Sequence, residues 1–226
     1  MNETRDASQQ ASASRSALSL GLIALASAAL LSWVYSLTES RIAEQERREL
    51  LRQLQQVVPR DSFDNAMHED FITVRHEVAF PGGQEVQVYR ARRYGAPVAV
   101  AMKLRANDGY NGRIDLLVGI YEDSRISGVR VLSHRETPGL GDAIDIERSD
   151  WILSFEGKSL EQPDPDGWAV KRDGGVFDQF TGATITPRAV VDAVHRALQF
   201  FESNHDGLFS APSQFQPGER ETQDEA

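Results

Sequence analysis

The sequence predicts an α+β domain carried behind a single N-terminal transmembrane helix. Three patterns predict it. Ala17 to Leu37 is an uncharged, mostly apolar run. Between Phe71 and Ser133, short segments alternate apolar and polar residues in the β manner. Over Pro187–Ser203, apolar residues recur at helical spacing.

The N-terminal run reads ALSLGLIALASAALLSWVYSL over 17–37. A helix of about 20 apolar residues crosses roughly 30 Å of hydrocarbon. Trp33 and Tyr35 sit near its C-terminal edge, where amphipathic rings favour the interface. A cleaved signal peptide is the rival reading, because Ala26-Ser27-Ala28 resembles a cleavage site. The apolar run continues through Leu30, Leu31, Trp33 and Val34, which suits a retained anchor better. Residues 1–16 are polar, small-residue rich and expected to be a loose tail. Arg5 and Arg15 precede the span, and Arg41, Arg47, Arg48 and Arg52 follow it. Counted alone, these charges put the C-terminal domain in the cytoplasm.

Residues 38–60 are expected to form a helical stalk, stopped by Pro59. Leu50, Leu51, Leu54, Val57 and Val58 fall at helical spacing, so a first helix packed on the domain fits equally well. The domain proper is expected over 61–204. Its predicted strands are Phe71–Phe80, Glu85–Arg93, Val98–Arg105, Arg113–Tyr121 and Ile126–Ser133. Pro81-Gly82-Gly83 and Gly95-Ala96-Pro97 punctuate the first three, and Glu122-Asp123-Ser124 joins the last two as a hairpin. A helix is expected at about Asp145–Phe155 and a short strand at Trp168–Lys171. In the last helix, Val190, Val191, Val194, Leu198 and Phe201 share a face, and Pro187 suits a first-turn position. From His205 on, a flexible tail over 205–226 is expected.

Composition excludes several classes. Net charge is −10, with no basic stripe to neutralise a phosphate backbone, so no nucleic-acid partner is expected. The absence of cysteine removes thiolate iron–sulfur ligation, cysteine zinc sites, disulfides and thiol nucleophiles. His68, His76, His134, His195 and His205 are scattered without ligand spacing, so no metal site is expected.

The informative stretch is Asp178-Gln179-Phe180-Thr181-Gly182-Ala183-Thr184-Ile185-Thr186. It is a hydroxyl-rich turn running into a helix N-terminus. Free backbone N–H groups and the helix dipole favour an anionic phosphate there. Gly182 and Ala183 let the backbone approach a bulky group. Spacing alone also fits plain capping, with the Thr186 hydroxyl as N-cap before Pro187. A second stretch, His134-Arg135-Glu136-Thr137-Pro138-Gly139-Leu140-Gly141, reads by itself as a Pro-Gly turn after a strand. A third, Gly109-Tyr110-Asn111-Gly112, reads as an ordinary turn.

The first stretch resembles the flavinylation motif of the FMN-binding domain family, an Asp followed by Ser/Thr-Gly-Ala-Thr-x-Ser/Thr. The resemblance implies a covalent FMN, esterified through its phosphate to Thr186 and installed from FAD by a periplasmic flavin transferase. Asp178, Thr181, Gly182, Ala183 and Thr184 match the other motif positions. In that family a Glu-Thr-Pro-Gly-Leu-Gly loop, here Glu136, Thr137, Pro138, Gly139, Leu140 and Gly141, lies against the isoalloxazine ring. Gly109–Gly112 resembles a glycine-tyrosine turn of the family. Lys171 either helps neutralise the phosphate or is a solvated surface charge.

Within the family, the chain is most similar to the G subunits of the Rnf (Rsx) ion-translocating electron-transport complexes, from the apolar span to about Asn204. The implied role is a non-catalytic electron carrier. Its implied partners are integral-membrane and iron–sulfur or flavin subunits of the bacterial inner membrane. The resemblance places the domain in the periplasm, against the charge count. Two alternatives stay open. One is a relative of the C subunit of sodium-pumping NADH:quinone reductase. The other is a membrane-tethered flavin-binding sensory module without electron throughput.

Overall fold

The computed structural model describes residues 3–215, with side chains from residue 20 onward except 36, 39, 40 and 43. The chain divides into two compact units, Met1–Glu49 and Leu50–Ala226.

Helix α1, Glu3–Val57, makes up the described part of the first unit and continues into the second. In the first unit its large apolar side chains are exposed, among them Leu25, Leu31, Trp33 and Tyr35. Among the described residues no helix is long and apolar enough to cross a membrane. The span expected at 17–37 includes positions, 17–19 and 36, whose side chains lie outside the described residues. The expected tails at 1–16 and 205–226 likewise lie partly outside them.

The second unit is built on one antiparallel sheet in sequential order: β1 (Phe71–Arg75), β2 (Glu85–Arg93), β3 (Ala96–Gly109), β4 (Gly112–Tyr121) and β5 (Ile126–Ser133). Two-residue turns join β2 to β3 and β3 to β4, the longer segment 76–84 joins β1 to β2, and every strand pairs with its neighbour in the chain. Tyr94 and Gly95 both have positive φ, 51° and 80°, and join Arg93 to Ala96. That is the two-residue hairpin turn whose twist matches paired strands. β1 is shorter than the sequence predicts: it ends at Arg75, and the Phe80 N–H closes a turn onto the His76 carbonyl.

Alternation along the strands sorts the side chains into two cores. Val88, Val100, Met102, Leu116 and Val118 face one layer, beneath helix α2, Ile185–Ser210. Tyr89, Ala91, Ala99, Ala101 and Leu117 face the other, against Leu54, Val57 and Val58 at the end of α1. Small residues on that second face, Ala91, Ala99 and Ala101, let the helix approach. Gly119 and Gly128 pair across β4 and β5, and a Cβ at Gly119 would stand 2.6 Å from the Val57 carbonyl oxygen. Ser127 Oγ donates to the same carbonyl at 2.5 Å, satisfying a helix-end acceptor. Of the two readings of 38–60, the packed first helix therefore describes its last turns.

Between β5 and α2 the chain runs through short 3-10 turns. The helix expected at 145–155 is a 3-10 segment, Asp150–Phe155, capped by Ser149. Ile152 and Phe155 are buried at the three-residue period of that geometry. The strand expected at Trp168–Lys171 reduces to a bridge between Val170 and Phe177. Trp151, Phe155, Trp168, Phe177 and Phe180 form an aromatic cluster that packs this region, with Phe155 and Phe177 stacked at 4.5 Å.

Helix α2 begins two residues before and ends seven residues after the predicted 187–203. Its extension past His205 corrects the boundary expected for the loose tail. Arg90 is 1% exposed and donates to the carbonyls of Leu208 and Ala211. Arg92 donates to the Phe209 carbonyl at 2.6 Å. Asp70 pairs with both guanidinium groups, leaving neither charge unpartnered. Two cations at a helix C-terminus match the sign of its dipole. Gln214 then bonds its backbone N–H to the Phe71 carbonyl and accepts from the Thr73 N–H, covering the β1 edge.

Candidate functional site

Three turns converge at the N-terminus of α2. The β3–β4 tip pairs Gly109 with Gly112 around Tyr110 and Asn111. The loop after β5 bends at Pro138-Gly139, where Gly139 has φ 76° and the Leu140 N–H returns to the Thr137 carbonyl at 3.1 Å. Proline then glycine is the pairing a type II turn requires. The third turn, Phe180–Ala183, closes with the Ala183 N–H on the Phe180 carbonyl and places Gly182 at φ 82°.

A pocket of about 340 Å³ lies between them. One wall carries Tyr110, Glu136, Thr137, Leu140 and Gly141, and the other is the run Gly182–Thr186. Tyr110, Leu140 and Ile185 are partly exposed and form an apolar rim.

At its base the Thr186 hydroxyl donates to Glu136 Oε2. The Thr186 residue is fully buried and Glu136 nearly so. Glu136 Oε1 accepts the Asn111 backbone N–H at 3.1 Å. Two glycines make room for this carboxylate. A Cβ at Gly109 would stand 2.9 Å from Oε1, and one at Gly141 would stand 2.8 Å from both Oε2 and Thr186 Oγ1.

The structure gathers eight of the residues singled out in the sequence onto the pocket: Thr186, Thr184, Ala183, Gly182, Glu136, Thr137, Leu140 and Gly141. Gly139 and Thr181 shape the adjoining turns without lining it. Asp178 and Lys171 pair with each other at 2.6 Å, both exposed, outside the lining. Lys171 is therefore spent on a neighbouring carboxylate instead of facing the pocket. Asp178 is fixed through its carbonyl, which accepts from Trp151 Nε1 at 2.7 Å.

The capping reading of Thr186 needs correction. The N-cap position is Thr184, whose side chain makes no cap hydrogen bond, and α2 starts at Ile185. Thr186 lies inside the first turn, with its hydroxyl turned toward Glu136 instead of the helix backbone. The stretch Gly109–Gly112, read in the sequence as an ordinary turn or a family-like one, puts Tyr110 on the rim, and Asn111 donates its amide to Thr137 Oγ1 at 3.0 Å. Ile185, read only as a motif spacer, also lines the pocket.

The electrostatics around α2 are local. Arg188 pairs with Asp173 through two bonds, at 2.7 and 2.9 Å, and holds that exposed carboxyl below its ordinary range. Partial burial lowers His195, which stacks on Trp168 at 5.0 Å.

These residues fit a ligand with a phosphate and a planar aromatic part. A hydroxyl and the first-turn N–H groups of α2 meet at one end, glycine surfaces permit close approach, and the rim is apolar.

Comparison with known proteins bears on the same residues. Residues 109–199 match the FMN-binding domain, which spans all three turns. Residues 1–57 match the RnfG N-terminal region. The chain is 44% identical to the G subunit of the ion-translocating oxidoreductase complex of Pseudoalteromonas atlantica, over 88% of this chain and 93% of that protein. It is 46% identical to the corresponding protein of Aliivibrio fischeri, over 88% and 94%. For the one from Pseudomonas aeruginosa the identity is 45%, over 91% and 96%. The chain belongs to the family of G subunits of ion-translocating oxidoreductase complexes and contains that family's FMN-binding domain.

Proposed function

We propose that this protein carries one FMN, esterified through its phosphate to Thr186, and relays electrons within a membrane-bound ion-translocating oxidoreductase complex. The observation that carries the reading is the placement of Thr186: its hydroxyl sits in the first turn of α2, at the base of a pocket within the FMN-binding domain. Bound FMN supplies one- and two-electron chemistry. The chain supplies the acceptor hydroxyl, the helix N-terminus for the phosphate, and Tyr110, Leu140 and Ile185 as apolar contacts for the ring. A covalent tether keeps the cofactor where a lost one could not be replaced.

The same reading anchors the chain in the bacterial inner membrane by a single span at 17–37, with the flavin domain in the periplasm. The uncharged run and the exposed apolar side chains of α1 support the anchor. The other complex subunits are its electron partners, and a flavin transferase using FAD is its modifying partner. A reporter active only in the periplasm, fused after residue 215, is expected to be active. Activity only from a cytoplasmic reporter there would reverse the orientation.

Mass spectrometry of the peptide covering residues 177–188 tests the attachment. An FMN-sized adduct is expected on Thr186. It should be absent in Thr186→Ala and at least partly retained in Thr186→Ser. An adduct on Thr181 or Thr184, or one persisting in Thr186→Ala, would sink the assignment.

A further inference from the structure

The geometry points to Glu136 as the base that takes the proton from Thr186 when the flavin is attached, so that the acceptor domain brings part of the chemistry of its own modification. This rests on the reading of Thr186 as the attachment residue. A threonine hydroxyl is a weak nucleophile until a base within hydrogen-bond reach removes its proton. Glu136 Oε2 accepts directly from Thr186 Oγ1. The carboxylate oxygen thus lies within hydrogen-bond reach of the threonine hydroxyl proton.

Three features separate this pair from an ordinary loop-to-helix tie. First, both partners are buried, Glu136 at 4% exposure and Thr186 at 0%. Among the described residues this carboxylate forms no ion pair with Lys, Arg or His; its hydrogen-bond partners are the Asn111 N–H and the Thr186 hydroxyl. Secondly, the slot is cut to the carboxylate by Gly109 and Gly141, whose missing side chains would strike one oxygen each. Thirdly, a Cβ at Gly141 would stand 2.8 Å from both Oγ1 and Oε2, so any side chain there would cover the pair on the wall that lines the pocket.

The step balances without oxidation or reduction. Thr186 Oγ1 forms a bond to the flavin-side phosphorus of a flavin adenine dinucleotide. The phosphoanhydride P–O bond breaks, and its electron pair leaves with AMP. The hydroxyl proton passes to Glu136 Oε2. The Asn111 N–H continues to hold Oε1, which keeps the carboxyl in place through the transfer.

The test uses the full-length, unflavinylated protein with purified flavin transferase and FAD, following adduct mass on the Thr186 peptide and AMP release with time. General-base catalysis contributes about 10²- to 10⁴-fold, so Glu136→Gln, close in shape but not a base, should label at least about 100-fold more slowly. Glu136→Asp keeps a base and should recover much of that loss, with a shifted pH–rate profile that a merely structural residue would not produce. Urea midpoints of both variants establish that they fold; should the Gln variant not fold, the Asp profile decides alone. Wild-type rates in Glu136→Gln, or an Asp profile superimposable on wild type, would overturn the role of Glu136. A wild-type protein labelled elsewhere than Thr186 would instead overturn the attachment reading.

Discussion

Asn111 holds Thr137: its side-chain amide donates to Thr137 Oγ1 at 3.0 Å, while its backbone N–H donates to the neighbouring Glu136 carboxylate at 3.1 Å. The tip of the β3–β4 hairpin is thereby latched to the loop that forms one wall of the pocket. Asn111→Ala removes the first bond and keeps the second. It should cost about 0.5–1.5 kcal/mol, the net worth of one hydrogen bond. Hydrogen exchange at Leu140 and Gly141 should quicken more than at β3. Unchanged protection of those amides would mean the latch does not order the loop.

Leu140 is 43% exposed and packs near Gly182, where a Cβ would lie 3.6 Å from its Cδ2. Leu140→Ala removes apolar surface from the rim without touching the Thr186 hydroxyl. Covalent FMN should be retained, with a shifted visible spectrum or reduction potential. A variant indistinguishable in both would show that this loop does not reach the ring.

Gly119→Ala should be among the most damaging single-methyl additions in the domain. The added Cβ would stand 2.6 Å from the Val57 carbonyl oxygen, which is backbone and cannot rotate away. Overpacking of this kind costs about 1–3 kcal/mol. The chemical-denaturation midpoint should fall, and the last turns of α1 should exchange faster. A midpoint equal to wild type would mean that α1 and the sheet separate there at little cost.

His195 predicts an acid-side loss of stability. Burial lowers its folded-state value, only partly opposed by the nearby Asp192. The folded protein therefore prefers the neutral ring. Its contribution is present above the ordinary histidine value of 6.5 and is lost as pH falls through that value toward the lower folded one. Asp192, itself raised mainly by burial, acts in the opposite sense at lower pH. His195→Phe, which keeps a ring against Trp168, should flatten the decline of the unfolding midpoint between about pH 7 and pH 5.5, a window set by the usual histidine pKa. An equal decline in the variant would assign it to other groups.

The sequence by itself located the strands, the closing helix and most residues of the pocket walls. Period-two alternation in β2 to β5 and the short turns between them are local, and the meander pairs each strand with its neighbour in the chain. The motif around Thr186 and the Glu136–Gly141 loop were legible as turns from consecutive residues, and as a flavin site through their resemblance to the family. Tertiary structure decided what lies between distant positions. Packing shortened the helix expected at 145–155 to the 3-10 segment Asp150–Phe155, with Ile152 and Phe155 in the core. The end of α2 meets Arg90 and Arg92, cations from a strand more than a hundred residues earlier, and buries Leu208 and Phe209 in the core. The same holds for the site. Spacing suggested that the Thr186 hydroxyl caps its own helix, and the fold instead points it at Glu136, fifty residues away. A side chain's hydrogen-bond partner is settled by which surfaces the fold presses together, and no local pattern encodes that.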